Sequence, residues 1–158
     1  MATSDGKEVK SEILIEEFHK EIDLIQDCIK RMANNSFLVK GWAITLVVAS
    51  IALLADKVNI CVIAFLSVNI LVCFWYLDAF FLKMERLYRK KYEWVIVRRP
   101  QGIKKFLYDL NPNNKNMWLN DNKKTTIFRI MFSKTLIPFY GLPLLVAIGA
   151  IAVKVLVN

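Results

Sequence analysis

The chain has 158 residues, a formal charge of +8 and 56% hydrophobic residues, which is enough for one domain by size. Its apolar residues are gathered into three long stretches separated by strongly charged segments, the pattern of an all-α membrane protein rather than of a water-soluble core. A mostly disordered chain is excluded. So is a secreted disulfide scaffold, because Cys28, Cys61 and Cys73 form no spaced framework and two of them lie inside apolar runs.

Residues 1–36 predict an amphipathic, coiled-coil-like helix. Apolar side chains fall at Ile15, Phe18, Ile22, Ile25, Ile29 and Met32, alternating steps of three and four that build a heptad seam. Glu16 with Lys20 and Asp27 with Arg31 are i,i+4 pairs of favourable polarity, yet exposed pairs contribute only about 0.3–0.5 kcal/mol each. The seam itself must therefore be covered. Eight acidic against five basic groups in this segment disfavour lying flat on anionic lipid. Two coverings remain, self-association through the six seam residues or packing on another cytoplasmic helix of the chain. His19 flanks the seam with no metal partner within helical reach and reads as a solvated rim position.

Residues 37–81 predict a transmembrane helical hairpin. The first span, 37–55, is FLVKGWAITLVVASIALLA, roughly 28 Å as a helix, and the second, 58–81, reaches about 36 Å and ends in a Phe/Trp/Tyr cluster suited to a membrane interface. Only Asp56 and Lys57 separate them, so the two helices must run antiparallel. Lys40, Asn59, Asn69 and Asp78 are polar residues at or near membrane depth, and intramembrane polar groups are candidates for function. Lys40 and Asp78 lie near the same end of their spans and can form an ion pair that holds the hairpin in register or acts as a gate. Asn59, Asn69, Thr45, Ser50 and Ser67 can hydrogen-bond across helices or line an aqueous path.

Residues 82–135 predict a basic cytoplasmic helix and loop. The helix continues through Met84, Leu87, Tyr88, Tyr92 and Val95 and should stop before Pro100. IKKFLYDL is expected as a short helix on the membrane surface and residues 111–126, dense in Asn, as a loop. The segment carries fourteen basic and four acidic groups. Its charge is opposite to that of residues 1–36, which favours packing of one on the other. Arg98, Arg99, Lys104, Lys105, Lys123 and Lys124 form a basic patch whose simplest partner is anionic lipid, with a nucleotide, RNA or protein as the sharper alternative.

Residues 136–157 predict a third transmembrane helix, kinked near its start by Pro138, Gly141 and Pro143, with Lys154 as an interfacial anchor. Lys and Arg are concentrated in residues 1–36 and 82–135, whereas the hairpin tip holds only Lys57. The N-terminus is therefore expected in the cytoplasm and the C-terminus outside, and no cleaved signal peptide is expected.

Two strings, RMANNSFLVKGWAITL at 31–46 and WYLDAFFLKMERLYRKKYEWV at 75–95, resemble a family of small, multi-span bacterial membrane proteins. More loosely, the chain is similar to the SLATT-type membrane effectors of antiphage systems. The resemblance implies a bacterial inner-membrane location and a homo-oligomeric pore or membrane-disrupting effector held quiet until a cytoplasmic trigger acts. From the residues themselves no Gly-rich phosphate loop, catalytic constellation or metal-ligand spacing emerges, so neither an enzyme nor a cofactor is expected. Three functions stay open: a homo-oligomeric channel or pore-forming effector, a non-conducting anchor that recruits a cytoplasmic partner through its basic loop, and a transporter that assembles a midplane site from several copies.

Overall fold

In a computed structural model of the chain, the backbone is described at residues 2–54, 57–119 and 125–157, and side chains from Leu14 onward within those ranges, except at 150, 154, 155 and 157. All regular structure among these residues is helical. Helix α1 covers Ala2–Leu54, α2 Ile60–Arg98, α3 Ile127–Met131 and α4 Leu142–Val157, with a 3₁₀ turn at Lys115–Met117 and a π-helix at Ile137–Gly141.

Helices α1 and α2 have 53 and 39 residues, about 80 and 58 Å at helical rise. Both are far longer than the roughly 30 Å of a bilayer core. One uninterrupted helix runs from Ala2 through segments 1–36 and 37–55 as far as Leu54, because no proline interrupts residues 2–54 and the two glycines there, Gly6 and Gly41, are each tolerated inside a helix at about 1 kcal/mol. Both helices are long and apolar enough to cross a membrane, and only 17% and 22% of their most apolar windows is buried. At the connection, the N–H groups of Lys57 and Val58 donate to the Leu54 carbonyl at 3.0 and 3.1 Å, and Asn59 Oδ1 accepts from the Cys61 N–H at 3.1 Å. That is the N-cap geometry, with the side chain satisfying a free amide of the first turn. Asp56 lies outside the described residues.

By internal contacts the chain divides into two compact units. The charged unit combines Met1–Arg31 with Met84–Lys124, and the apolar unit combines Met32–Lys83 with Thr125–Asn158.

In the charged unit, Ile25, Trp94, Val95 and Met117 form the buried centre, with Phe18, Ile22, Ile29, Tyr92, Ile103, Phe106 and Leu110 packed around it. IKKFLYDL is not a helix here: residues 103–110 are turns and irregular backbone. Phe106 and Tyr108 adopt φ of 60° and 57°, a left-handed conformation costly for residues with side chains, and Gly102 takes φ 80° where glycine is suited. The carbonyls of this loop are bonded by side chains instead of by a helical ladder, as set out below.

In the apolar unit, Ala43, Leu71, Ala79, Ile130, Leu136 and Tyr140 make the buried centre. Trp75 stacks on Tyr140 with centroids 6.1 Å apart, meets Phe132 edge-on at 5.7 Å and donates its indole N–H to the Met131 carbonyl at 3.0 Å. The third apolar stretch is not one straight helix. Pro143 has no N–H to give the Phe139 carbonyl, and the wider π turn at Ile137–Gly141 absorbs the mismatch before α4 begins. Helix α4 has 16 residues, about 24 Å.

Candidate functional site

The polar centre of the apolar unit is Asp78, which is completely buried. Two segments bring three donors to it. Ser36, on α1, donates its hydroxyl to Oδ1 at 2.5 Å. Lys40, one helical turn further along α1, places Nζ 2.6 Å from Oδ2 and 2.9 Å from Ser36 Oγ. Tyr140, in the π-helix, donates its hydroxyl to Oδ2 at 3.2 Å. A carboxylate removed from water needs this number of donors to offset its lost hydration. The Lys40 side chain keeps 27% of its exposure, so its stem packs beside the carboxylate while part of the group still reaches outward.

This geometry suits a lock between helices better than bond-making chemistry. Ser36 is 4% exposed and its hydroxyl donates to Asp78. Among the described residues, no group of three or more His, Cys, Asp or Glu is arranged to hold a metal ion. His19 is exposed.

The other polar residues of the apolar helices stand apart from Asp78. Ser67 Oγ returns to the Ile63 carbonyl at 2.9 Å, Ser50 Oγ to Val47 at 2.8 Å and Thr45 Oγ1 to Gly41 at 3.0 Å. Asn59 is the α2 cap described above. Asn69 is exposed and donates to the Phe65 carbonyl at 2.8 Å. Lys154 belongs to the residues whose side chains are not described.

The charged unit has two ionic centres of its own. Arg99 and Glu21 form a bidentate pair, Nε to Oε2 at 2.6 Å and Nη2 to Oε1 at 2.7 Å, with side chains only 6% and 0% exposed. The remaining arm of the guanidinium donates to the carbonyls of Ile103 and Lys105 at 2.5 and 2.9 Å, and Glu21 Oε1 accepts the Tyr108 N–H at 3.3 Å. One ion pair thus holds the backbone of the left-handed loop at three points. Lys91, wholly buried, donates to the carbonyls of Asp109 and Asn111, the latter at 2.9 Å, and lies 3.5 Å from the Asp109 carboxylate. Burial pushes the Lys91 ammonium below the usual lysine range, against the opposing pull of Asp109. For Asp109 partial burial acts upward, but hydrogen bonds from the Asn114 side chain and the Asn111 N–H, together with Lys91, hold the carboxyl below the usual carboxylate range.

The structure redistributes the residues singled out from the sequence. Phe18, Ile22, Ile25 and Ile29 meet Trp94, Val95 and Met117 of their own unit, whereas Ile15 is 56% exposed and Met32, half-buried, falls in the apolar unit. Within one chain the seam is therefore covered by α2 and the loop, and Ile15 is the member most open to another molecule. Arg99 is an internal clamp. Arg98 is exposed and reaches Gln101 at 3.3 Å, Lys104 lies 3.3 Å from Glu17, and Lys105 sits 5.0 Å from the Phe106 ring. Lys123 and Lys124 lie outside the described residues.

Sequence reasoning missed Ser36, Tyr140, Glu21 and Lys91. Two of these had a signal: Glu21 falls four residues before Ile25 on the seam face, and Lys91 falls midway between Leu87 and Val95, so each is a charge set into an apolar helical stripe. Comparison with family models, with curated proteins and with solved structures finds no match.

Proposed function

We propose that the chain is a multi-span protein of the bacterial inner membrane that works as a homo-oligomeric channel or pore-forming effector under cytoplasmic control. In this reading residues 1–36 and 82–135 face the cytoplasm and 136–157 cross as a third span, leaving the C-terminus outside. The observation that carries it is the outer surface of the apolar unit. Phe37, Trp42, Phe65, Leu145 and Val146 are each at least 59% exposed, an amount of exposed large apolar side chain that water disfavours and lipid does not. On that surface sits an exposed amide, Asn69, about 14 Å along α2 from Ile60 and near the middle of the apolar stretch. Its Nδ2 has one bond, back to Phe65; the rest of its hydrogen-bonding capacity faces outward, where another copy can satisfy it and lipid cannot. The likeness of residues 31–46 and 75–95 to small bacterial membrane proteins supports the membrane location, and a part in antiphage defence rests on the looser resemblance to SLATT-type effectors alone.

Reconstitution tests it. Wild-type protein in liposomes should release an encapsulated dye, and Asn69→Leu should reduce both assembly and release. Assembly and release unchanged in Asn69→Leu would remove the argument from this amide.

The exposed cations Arg98, Lys104 and Lys105 favour a second reading, a non-conducting anchor that recruits a cytoplasmic protein or nucleic acid. Co-purification of one specific partner, lost when these three become Ala, would favour this reading over the first.

A further inference from the structure

The segment leading into α4 carries features that neither the ionic lock nor the pore reading uses. Between Thr125 and Leu136 there are two basic residues, Arg129 and Lys134, and no acidic one; both basic residues are exposed. Phe128 and Phe132 beside them are 70% and 64% exposed. This is not a loosely held tail: Ile130 and Leu136 are buried in the centre of the apolar unit, and the Trp75 indole pins the Met131 carbonyl. A rigidly held pair of aromatic rings flanked by cations is suited to the boundary between headgroups and hydrocarbon.

A groove of about 550 Å³ lies in the same unit, lined by Val47, Ile51, Ile63, Leu71, Leu142 and Val146 among others. Its lining is almost wholly apolar, with Ser67 as the exception, and the Ser67 hydroxyl is already bonded to the Ile63 carbonyl. Leu71 stands one helical turn along α2 from Trp75, which holds the cationic segment, and Leu142 directly follows the π-helix after that segment. Cation and apolar groove are therefore neighbours on two elements at once.

From this arrangement we infer that the apolar unit binds an anionic phospholipid, with its phosphate on Arg129 and Lys134, its glycerol region against Phe128 and Phe132, and one acyl chain in the α1–α2–α4 groove. The occupant follows from charge complementarity, since two cations with no acid among them select a phosphate carrying net negative charge. The inference rests on the membrane reading above.

The test is native mass spectrometry of the full chain, purified in detergent and offered phosphatidylcholine and phosphatidylglycerol in equal amounts, with carbonate extraction of the source membranes run alongside. Wild type should retain phosphatidylglycerol preferentially. R129Q/K134Q should lower that preference by about 25-fold, from about fivefold per basic side chain near the surface, and V146W, which fills the groove, should lower retention of both lipids. Equal retention of the two lipids by wild type, or an unchanged preference in R129Q/K134Q, overturns the site while leaving the membrane reading intact. Release of the wild type by carbonate overturns both. Should a variant lose its helical circular dichroism, photocrosslinking of wild type with a diazirine-bearing phosphatidylglycerol decides the matter: label on Leu136–Val157 and α2 supports the site, and label confined to other segments overturns it.

Discussion

Both units bury a carboxylate against a cation, but they employ the pair differently. In the charged unit Glu21 and Arg99 turn their remaining hydrogen bonds onto loop backbone, and Lys91 does the same two turns earlier on α2. In the apolar unit Asp78 receives side chains alone, from α1 and the π-helix. The first arrangement determines the path of a loop that has no helical ladder. The second sets the rotation and register of helices whose apolar faces could otherwise slide. What each buried pair ties together thus depends on whether its spare donors and acceptors meet backbone, as at Glu21 and Arg99, or side chains, as at Asp78.

The largest effect is expected at Glu21. Glu21→Ala leaves the Arg99 guanidinium buried without its carboxylate and frees the Tyr108 N–H, and removal of one partner of a buried pair costs about 3–5 kcal/mol. Limited proteolysis should then cleave residues 99–110 while α1 and α2 stay helical by circular dichroism; a loop as resistant as in wild type would contradict the clamp. A smaller effect is expected at Lys40. Because its side chain retains 27% exposure and the Ser36 and Tyr140 hydroxyls still donate to Asp78, Lys40→Met should cost less, about 1–2 kcal/mol. Asp78→Ala should exceed Lys40→Met in a thermal-unfolding comparison, since it removes the acceptor of two hydroxyls and the counter-charge of the ammonium together; the reverse order would show that the carboxylate is not the hub.

Acid separates the units by another route. The Asp109 carboxyl is held below its ordinary value, so its contribution to stability is present above the unfolded carboxylate range and lost as pH falls through the lower folded value. Lys91 acts in the other direction: with its folded value depressed, stability rises with pH across the window between that value and the ordinary lysine range. Asp109→Asn should therefore flatten the acid limb of protease resistance in residues 103–114, and an unchanged acid limb would argue against the Lys91–Asp109 centre. The smallest effect is expected at the hairpin connection, where Asn59→Ala removes an N-cap at a cost of about 1 kcal/mol and should lower the unfolding temperature by only a few degrees.

Much of the helical layout is legible in the sequence because it follows from periodicity and from proline. The α2 helix ends at Arg98, just before Pro100, and the apolar faces of both long helices recur at steps of three and four. The pairing of Lys40 with Asp78 is legible from their positions near the same end of antiparallel stretches, with a long lysine side chain able to cover the offset of about five residues between them. What was hidden was long-range. Tyr140 reaches Asp78 across 62 positions and Arg99 reaches Glu21 across 78, and nothing local marks such partners. The seam residues announced an apolar face without naming what covers it. IKKFLYDL carried a helical pattern that was overruled when Arg99 and Lys91 took the loop carbonyls, a case of tertiary bonding defeating local propensity. Within the basic patch Arg99 is an internal clamp whereas Arg98, Lys104 and Lys105 are exposed, a difference that a count of charges does not show.

The most direct test of the account is the mass of the particle formed by the full chain in lipid nanodiscs. Assembly through the outward face of the apolar unit predicts a tetramer or larger, reduced in Asn69→Leu. A wild-type particle that stays monomeric at every protein-to-lipid ratio would contradict it.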